Sequence, residues 1–169
     1  MATFRILPDR SRVWIDARTS VHPIHGEADG VTGALDLEVD GGTVLLEPRP
    51  TGRLRLAVGR LRSGNRLYDG ELLRRVDARR YPEITAEVRE VTATAGGYRV
   101  RGDLTFHGVT RTVDGEVLVV FPDPDTVEIT GERAFDVRDF GIDPPRILML
   151  RVHPDVTVRV RLLAVRAVD

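Results

Sequence analysis

GDLTFHGVTRTV, residues 102–113, alternates in the manner of a β-strand, yet it carries a histidine, two glycines and charges of both signs. Successive side chains of an extended chain point to opposite faces, so Leu104 and Phe106 share one side while Asp103, Thr105 and His107 share the other. Two readings compete: an active site with His107 as a base beside Asp103 or Arg111, or a strand with unusual punctuation. The second is favoured. His107 lines the same interior as Phe106 only if a bulge at Gly108 shifts the register. Gly102 and Gly108 suit a bend or the close approach of a neighbouring strand, Asp103 and Arg111 are placed to pair across a hairpin, and His107 is placed to cap the strand end.

The same period-two pattern recurs on both sides of this stretch. Val13, Ile15 and Ala17 alternate with Trp14, Asp16 and Arg18, and Leu35, Leu37 and Val39 with Asp36, Glu38 and Asp40. Leu54, Leu56 and Val58 interleave with arginine and alanine; Ile84, Ala86 and Val88 follow. Later come Val100, then Val113, Val117, Val119 and Phe121, then Val127, Ile129, Arg133 and Phe135, a parity that is partly charged. Val156, Val158, Val160 and Leu162 make the longest run. Turn chemistry separates the runs at Asp40-Gly41-Gly42, Ala95-Gly96-Gly97, Asp114-Gly115 and Pro122-Asp123-Pro124-Asp125. About eight largely antiparallel strands result. One segment breaks the alternation: RLYDGELLRR, residues 66–75, brings Leu67, Leu72 and Leu73 near helical spacing and predicts a short helix despite Gly70. Tyr81-Pro82 ends the linker that follows.

Such strands fit a two-layer sandwich or a closed barrel, and closure is preferred because it removes exposed sheet edges. The expected fold is all-β, an eight-stranded antiparallel lipocalin-like barrel with a short helix near residues 66–75, forming one domain over residues 1–169. Its inward side chains are mainly Val, Leu, Ile and Ala in a chain with 5 Phe, 3 Tyr and 1 Trp, so the interior is greasy whether filled by its own side chains or left hollow for a ligand.

Composition narrows the function. With 0 Cys, disulfides, thiolate zinc sites and cysteine nucleophiles are excluded. The 25 basic residues, all arginine, nearly balance 26 acidic ones, which removes the electrostatic footprint of a nucleic-acid binder. The arginine excess, with abundant Ala, Val and Gly, reads as codon bias rather than a phosphate-binding signal. MATFRILPDRSR lacks the apolar run of a secretory signal, so a cytoplasmic location is expected. No apolar run approaches the length of a membrane span; Val117 to Phe121 is strand-sized.

Catalytic and metal constellations are weak. His22-Pro23-Ile24-His25 is an HxxH pair, but Pro23 argues against the helix that would bring both rings to one metal. Ser11, Ser20 and Ser63 lie outside any glycine-flanked nucleophile elbow, and Asp139-Phe140-Gly141 lacks the accompanying kinase elements. No catalytic residue, metal or cofactor is expected.

YPEIT (81–85), GDLTFHGVTRTV (102–113), DVRDFGI (136–142) and VTVRVRLLA (156–164) together resemble the YceI-like family, lipocalin-like polyisoprenoid-binding proteins, from about Phe4 to Ala164. The resemblance implies an extended eight-stranded antiparallel barrel with a helix over one end and a long hydrophobic tunnel for an isoprenoid chain. Many members carry a secretion signal, which is not seen here, and paired phenylalanines ahead of the Tyr-Pro step, where Arg75-Val76-Asp77 stands.

The expected function is binding, sequestration or carriage of a long-chain apolar lipid, a polyisoprenoid or isoprenoid quinone, without enzymatic activity. Leu56, Ile84, Ala86, Leu104, Phe106, Ile129, Phe135 and Val158, on the apolar parity of their strands, are the expected ligand contacts. Two alternatives stay open: a small stress-related interaction protein whose barrel is filled by its own side chains, and, more weakly, an enzyme acting on a lipid-like substrate. Pairing of two copies as a homodimer is compatible with either barrel.

Overall fold

The computed structural model describes residues 1–144, 146–147 and 149–168. Its strands are β1 (Ala2–Ile6), β2 (Arg12–Thr19), β3 (Ile24–Ala28), β4 (Thr32–Asp40), β5 (Thr43–Leu45), β6 (Thr51–Ala57), β7 (Glu83–Ala93), β8 (Tyr98–Phe106), β9 (Val109–Asp123), β10 (Thr126–Asp136), β11 (Arg146–Ile147) and β12 (Leu150–Arg166), with one α-helix, α1 (Arg66–Arg75). Hydrogen bonding runs in the order β1-β4-β6-β7-β8-β9-β10-β12, and β12 returns to β1. This is a closed, eight-stranded, all-antiparallel barrel. The twelve strand segments outnumber the eight expected because two positions in the wall are interrupted strands and because β5 and β11 lie off the ring, paired to β4 and β12. β1 and β2 lie end to end along β12, pairing Ile6 with Ala164 and then Arg12 with Arg161. β3 and β4 do the same beside them, pairing Ala28 with Val13 and Ala34 with Arg5.

The two interruptions stand side by side, and Ser11 closes the first. Its hydroxyl accepts from the Leu163 N–H at 3.1 Å, replacing the main-chain partner that the broken strand withdraws, and donates at 3.4 Å to the Leu163 carbonyl, which also accepts from the Leu7 N–H at 2.8 Å. Ser11 is fully buried, as these bonds to backbone require. In the second break Gly30 adopts φ 89°, and its N–H reaches the Pro8 carbonyl at 3.1 Å.

Alternation sorts the wall into an apolar inner face and a charged outer face. Outside, arginines pair across strands: Arg99 with Asp114 and Glu116, Arg161 with Glu128, Arg89 with Asp103. Such exposed pairs contribute little individually, but they give the outer arginines a structural role in keeping the wall solvated. Inside, the barrel is packed at both ends. Phe4, Ile6, Leu35, Leu37, Val44, Val127, Leu162 and Ala164 fill the end where the chain termini meet. Leu56, Val58, Leu61, Val76, Phe140 and Ile142 close the other.

Helix α1 lies at that second end with the bounds expected from sequence. Asn65 caps it, its side-chain oxygen accepting from the Leu67 and Tyr68 N–H groups. Of its leucines only Leu72 packs on the core; Leu67 and Leu73 are exposed. A single inward residue per two turns explains why the helical pattern in the sequence is short and faint. The wall below the helix is thin too: β3 meets the segment after β6 through one bridge, Glu27 with Arg62.

One expected turn is displaced. Asp114-Gly115 lies within the 15 residues of β9, with Gly115 paired to Val100, because the ladder of β8 and β9 continues past it. The turn of this hairpin is His107-Gly108.

Replacing Ser11 by alanine leaves the buried Leu163 N–H without a partner. The expected cost is about 1–3 kcal/mol, read as a lower urea midpoint with an unchanged slope; a loss under about 0.5 kcal/mol would show that the break is stitched by other groups.

Candidate functional site

The stretch 102–113 folds back on itself. Gly102 pairs with Val113, Leu104 with Arg111 and Phe106 with Val109, so the two residues left between the strands make the turn. His107 at φ 55° and Gly108 at φ 71° give it two successive left-handed residues, the geometry whose twist matches a hairpin. A β-carbon at 108 would lie 2.5 Å from the Tyr81 ring, so glycine is required there for space as well as for its backbone angle.

This turn anchors the covered end of the barrel. His107 Nδ1 lies 3.0 Å from the Phe140 carbonyl; since a carbonyl only accepts, that nitrogen carries the proton. The His107 ring meets Tyr81 edge-on at 5.4 Å, and Phe106 packs on Phe140 at 6.0 Å. His107 thus ties the hairpin to the 3-10 turn over Val137–Phe140. The expected pairing of Asp103 with Arg111 does not form, because a two-residue turn sets them on opposite faces. Asp103 instead accepts from Arg89 Nε at 2.8 Å and from Thr112 at 3.1 Å. Arg111 stands on the inner parity beside Leu104, and its Nε reaches the Asp139 carbonyl at 2.8 Å.

The histidine pair at 22 and 25 is separated by β-structure. His25 binds Asp16 at 2.6 Å across β2 and β3, while His22 turns toward the Pro23 carbonyl. Among the described residues no group of three or more metal-binding side chains converges.

The eight expected contact residues do share one surface. Register places Leu56 beside Ile84, Ala86 beside Leu104, Phe106 beside Val109, Ile129 beside Leu162, and Phe135 and Val158 on the inner face of β10 and β12. Leu56 is buried beneath the covered end, whereas the other seven are half-buried. Val88, Val113, Val119, Phe121 and Val160 are half-buried on the same face. Ile84, Leu104, Phe106, Ile129, Phe135 and Val158 also pack against the buried cluster, so between the two packed ends the inner wall is apolar and only partly buried. A groove of about 490 Å³ also exists, lined by Trp14, Leu118, Thr130, Glu132, Arg159 and Arg161, but these side chains belong to the outer face.

Family models match the chain to the YceI-like domain over residues 4–164. The chain belongs to the YceI-like family. Solved structures of the same fold include BcnA from Burkholderia cenocepacia, with TM-score 0.77 and 18% identity, covering 94% of this chain and 98% of that one. A polyisoprenoid-binding domain from Saccharophagus degradans, implicated in plant cell wall breakdown, matches with TM-score 0.78 and 14% identity over 99% and 100% of the two chains. A Campylobacter jejuni YceI protein gives TM-score 0.65 and 14% identity over 85% of each. No curated protein matches the chain significantly in sequence. At these identities the structures share with this YceI-like chain its barrel, not a ligand. Among the described residues no helix is long and apolar enough to cross a membrane.

Removing the His107 ring loses one hydrogen bond and one aromatic contact, so His107→Ala should lower stability by about 1–2 kcal/mol without unfolding the barrel. Gly108→Ala should cost more, since it meets both the backbone angle and Tyr81. The reverse order in chemical denaturation would assign the tie to the ring rather than the turn.

Arg89, and secondarily Thr112, hold the Asp103 carboxyl below its usual range. A carboxylate lowered in the folded state adds stability above its unfolded value, near 3.9, and loses it as pH falls through the lower folded value. Asp103→Asn should therefore flatten the loss of stability below about pH 4; an acid limb identical to that of the parent would show the pair to be fully screened.

Proposed function

We propose that this protein binds a long apolar lipid of the polyisoprenoid or isoprenoid-quinone class within the barrel and acts by sequestering or carrying it. The observation that carries this reading is the half-buried aliphatic belt between two packed ends. Ile84, Ala86, Leu104, Ile129 and Val158 face inward yet keep accessible surface, in contrast to fully buried Phe4 and Val127. The Saccharophagus domain, a polyisoprenoid binder with the same fold, supports the ligand class. Each buried methylene-sized group contributes about 0.8 kcal/mol, offset by the ordering of a flexible chain. Affinity therefore rises with chain length until the belt is covered.

The partial exposure of the belt favours this reading over a barrel filled by its own side chains. Among the described residues, no acid–base pair forms on the inner face: His107 is engaged with backbone, and the carboxylates along the β8, β9 and β10 ladder point outward.

A ligand that binds only the folded state raises its unfolding temperature by mass action. C20 and longer isoprenoids should raise it more than C10 analogues. Ala86→Trp separates hollow from filled: in a filled core it is overpacked by about 1–3 kcal/mol, whereas in a hollow one the indole takes ligand space. The variant is expected to fold and to bind long chains poorly, with Glu87→Trp on the outer face as control. Equal shifts from short and long chains, or an Ala86→Trp protein that unfolds with no binding defect in its folded fraction, would overturn the hollow barrel.

A further inference from the structure

We propose that, within the isoprenoid class proposed above, the ligand is an amphiphile with an anionic terminus rather than a neutral quinone or alcohol, and that Arg133 receives that terminus inside the barrel. The proposal rests on the interior being the binding site.

Arg133 stands on β10 between Gly131 and Phe135, opposite Val158 on β12. Val158 in turn pairs with Ile15, so all of these positions share the inner face. The side chain follows its parity. Its Cδ lies 3.7 Å from where a β-carbon on Gly115, inward on the neighbouring strand β9, would stand. Its guanidinium carbon sits 4.4 Å from the centroid of the Phe135 ring. The stem is thus laid against the inner wall, over a glycine that leaves it room.

What surrounds this charge is apolar. Apart from Asp123 at the last position of β9, where a bulge shifts the register, no aspartate or glutamate among the described residues falls on the inward parity of the eight ring strands. Two other arginines share that parity, and both are spoken for at the barrel ends. Arg111 donates to the Asp139 carbonyl at the covered end, and Arg166 pairs with Asp125 at 3.0 Å at the opposite one. Arg133 reaches, among the described residues, only the carbonyl of its own neighbour Ala134, at 3.1 Å. A guanidinium has five donors in a planar fork suited to carboxylate or phosphate oxygens, so most of its capacity is unused.

A half-buried cation in an apolar wall is costly unless an anion meets it. Stacking on Phe135 recovers part of that cost and also fixes the plane of the fork. Arg133 shares its face with the half-buried residues Ile129, Phe135 and Val158, along which an apolar chain would lie. A carboxylate or phosphate at the chain's end would complete the pair, and the two anions share the chemistry that Arg133 reads. A neutral alcohol of the same length would leave the charge unpaired.

The test uses the full chain, stripped of lipid, and three ligands of one chain length: geranylgeraniol, geranylgeranoic acid and geranylgeranyl phosphate. Binding is followed by displacement of a fluorescent apolar probe below the ligands' aggregation limits. At least one anion should bind about tenfold or more tightly than the alcohol, and which one does identifies the headgroup. In Arg133→Met, which keeps the apolar stem, that advantage should vanish while alcohol binding stays. Arg161→Met, on the outer face, should keep it. Equal affinity of the parent protein for alcohol and both anions would overturn the proposal whether or not the variant folds, as would an advantage that survives in Arg133→Met. Binding of none of the three would overturn the interior site itself, a failure distinct from loss of headgroup preference.

Discussion

The 17 residues of β12 hydrogen-bond to β10 along one edge and to β2 and then β1 along the other. One strand thereby joins the beginning of the chain to its end, with Phe4 beside Arg166. Without that seam the other strands would form an open twisted sheet with two long edges, each a template for association. With it, side chains of the wall are assigned to inside or outside by parity, except where bulges after Val88, between Thr126 and Glu128 and between Val152 and Val156 shift the register. The seam is also where the chain is least regular, since its N-terminal partner breaks between Ile6 and Arg12. The buried Ser11 hydroxyl keeps the ladder continuous there, so one small polar side chain supports a contact between the two termini of the sequence. Pairing of such remote segments carries a large loop-closure cost, and it is rewarded only when the adjoining core residues Ile6, Leu162 and Ala164 become buried together.

The inner face owes its character to this closure. Fully buried residues gather at the two ends, while the apolar residues of the belt between them are half-buried and pack against that core. Val88, Val100, Val113, Val117, Val158 and Val160, with the inward glycines 102, 115 and 131, project little from the wall. A barrel of eight strands is near the limit that side chains can fill, so the size of the residues at this level decides how much of the interior they occupy. Several aromatic residues are placed at the ends: Phe4 meets Phe121 at 6.3 Å, and Phe106 meets Phe140 at 6.0 Å, while Phe135 stays on the belt. Packing is thus concentrated where the barrel must be shut.

Much of this was legible from residues alone. Period-two alternation identified the inner parity of nearly every long strand, including all eight proposed contacts, because a one-residue slip would bury charge throughout a strand. The helix at 66–75 was legible from the break in that period. What escaped reading depended on tertiary partners. Asp114-Gly115 has the composition of a turn but lies opposite Val100 in a continuous ladder, while His107-Gly108, a less typical pair, makes the hairpin because Tyr81 and Phe140 close around it. Ser11 gave no signal, since its role exists only once Leu163 is alongside. The belt's accessibility was equally invisible: alternation says which way Ile84 or Val158 points, not whether anything meets it.

Arg133 shows how far parity can carry a functional argument. Arginine on an outward position of this wall is ordinary, and Arg99, Arg89 and Arg161 each find carboxylates across the ladder. The same alternation that supplies those partners outside withholds them inside, so an inward arginine is set apart by its position rather than its type. Exchanging it for a hydrophobic residue would remove a desolvation cost and gain apolar contact with Phe135 and Val158, which makes charge at this position unfavourable for packing alone. A wall that tolerates such a cost among otherwise aliphatic neighbours is better suited to an amphiphile than to a hydrocarbon. The chain of such a ligand would draw its affinity from the belt, and its terminus would fix how far along the barrel that chain can slide.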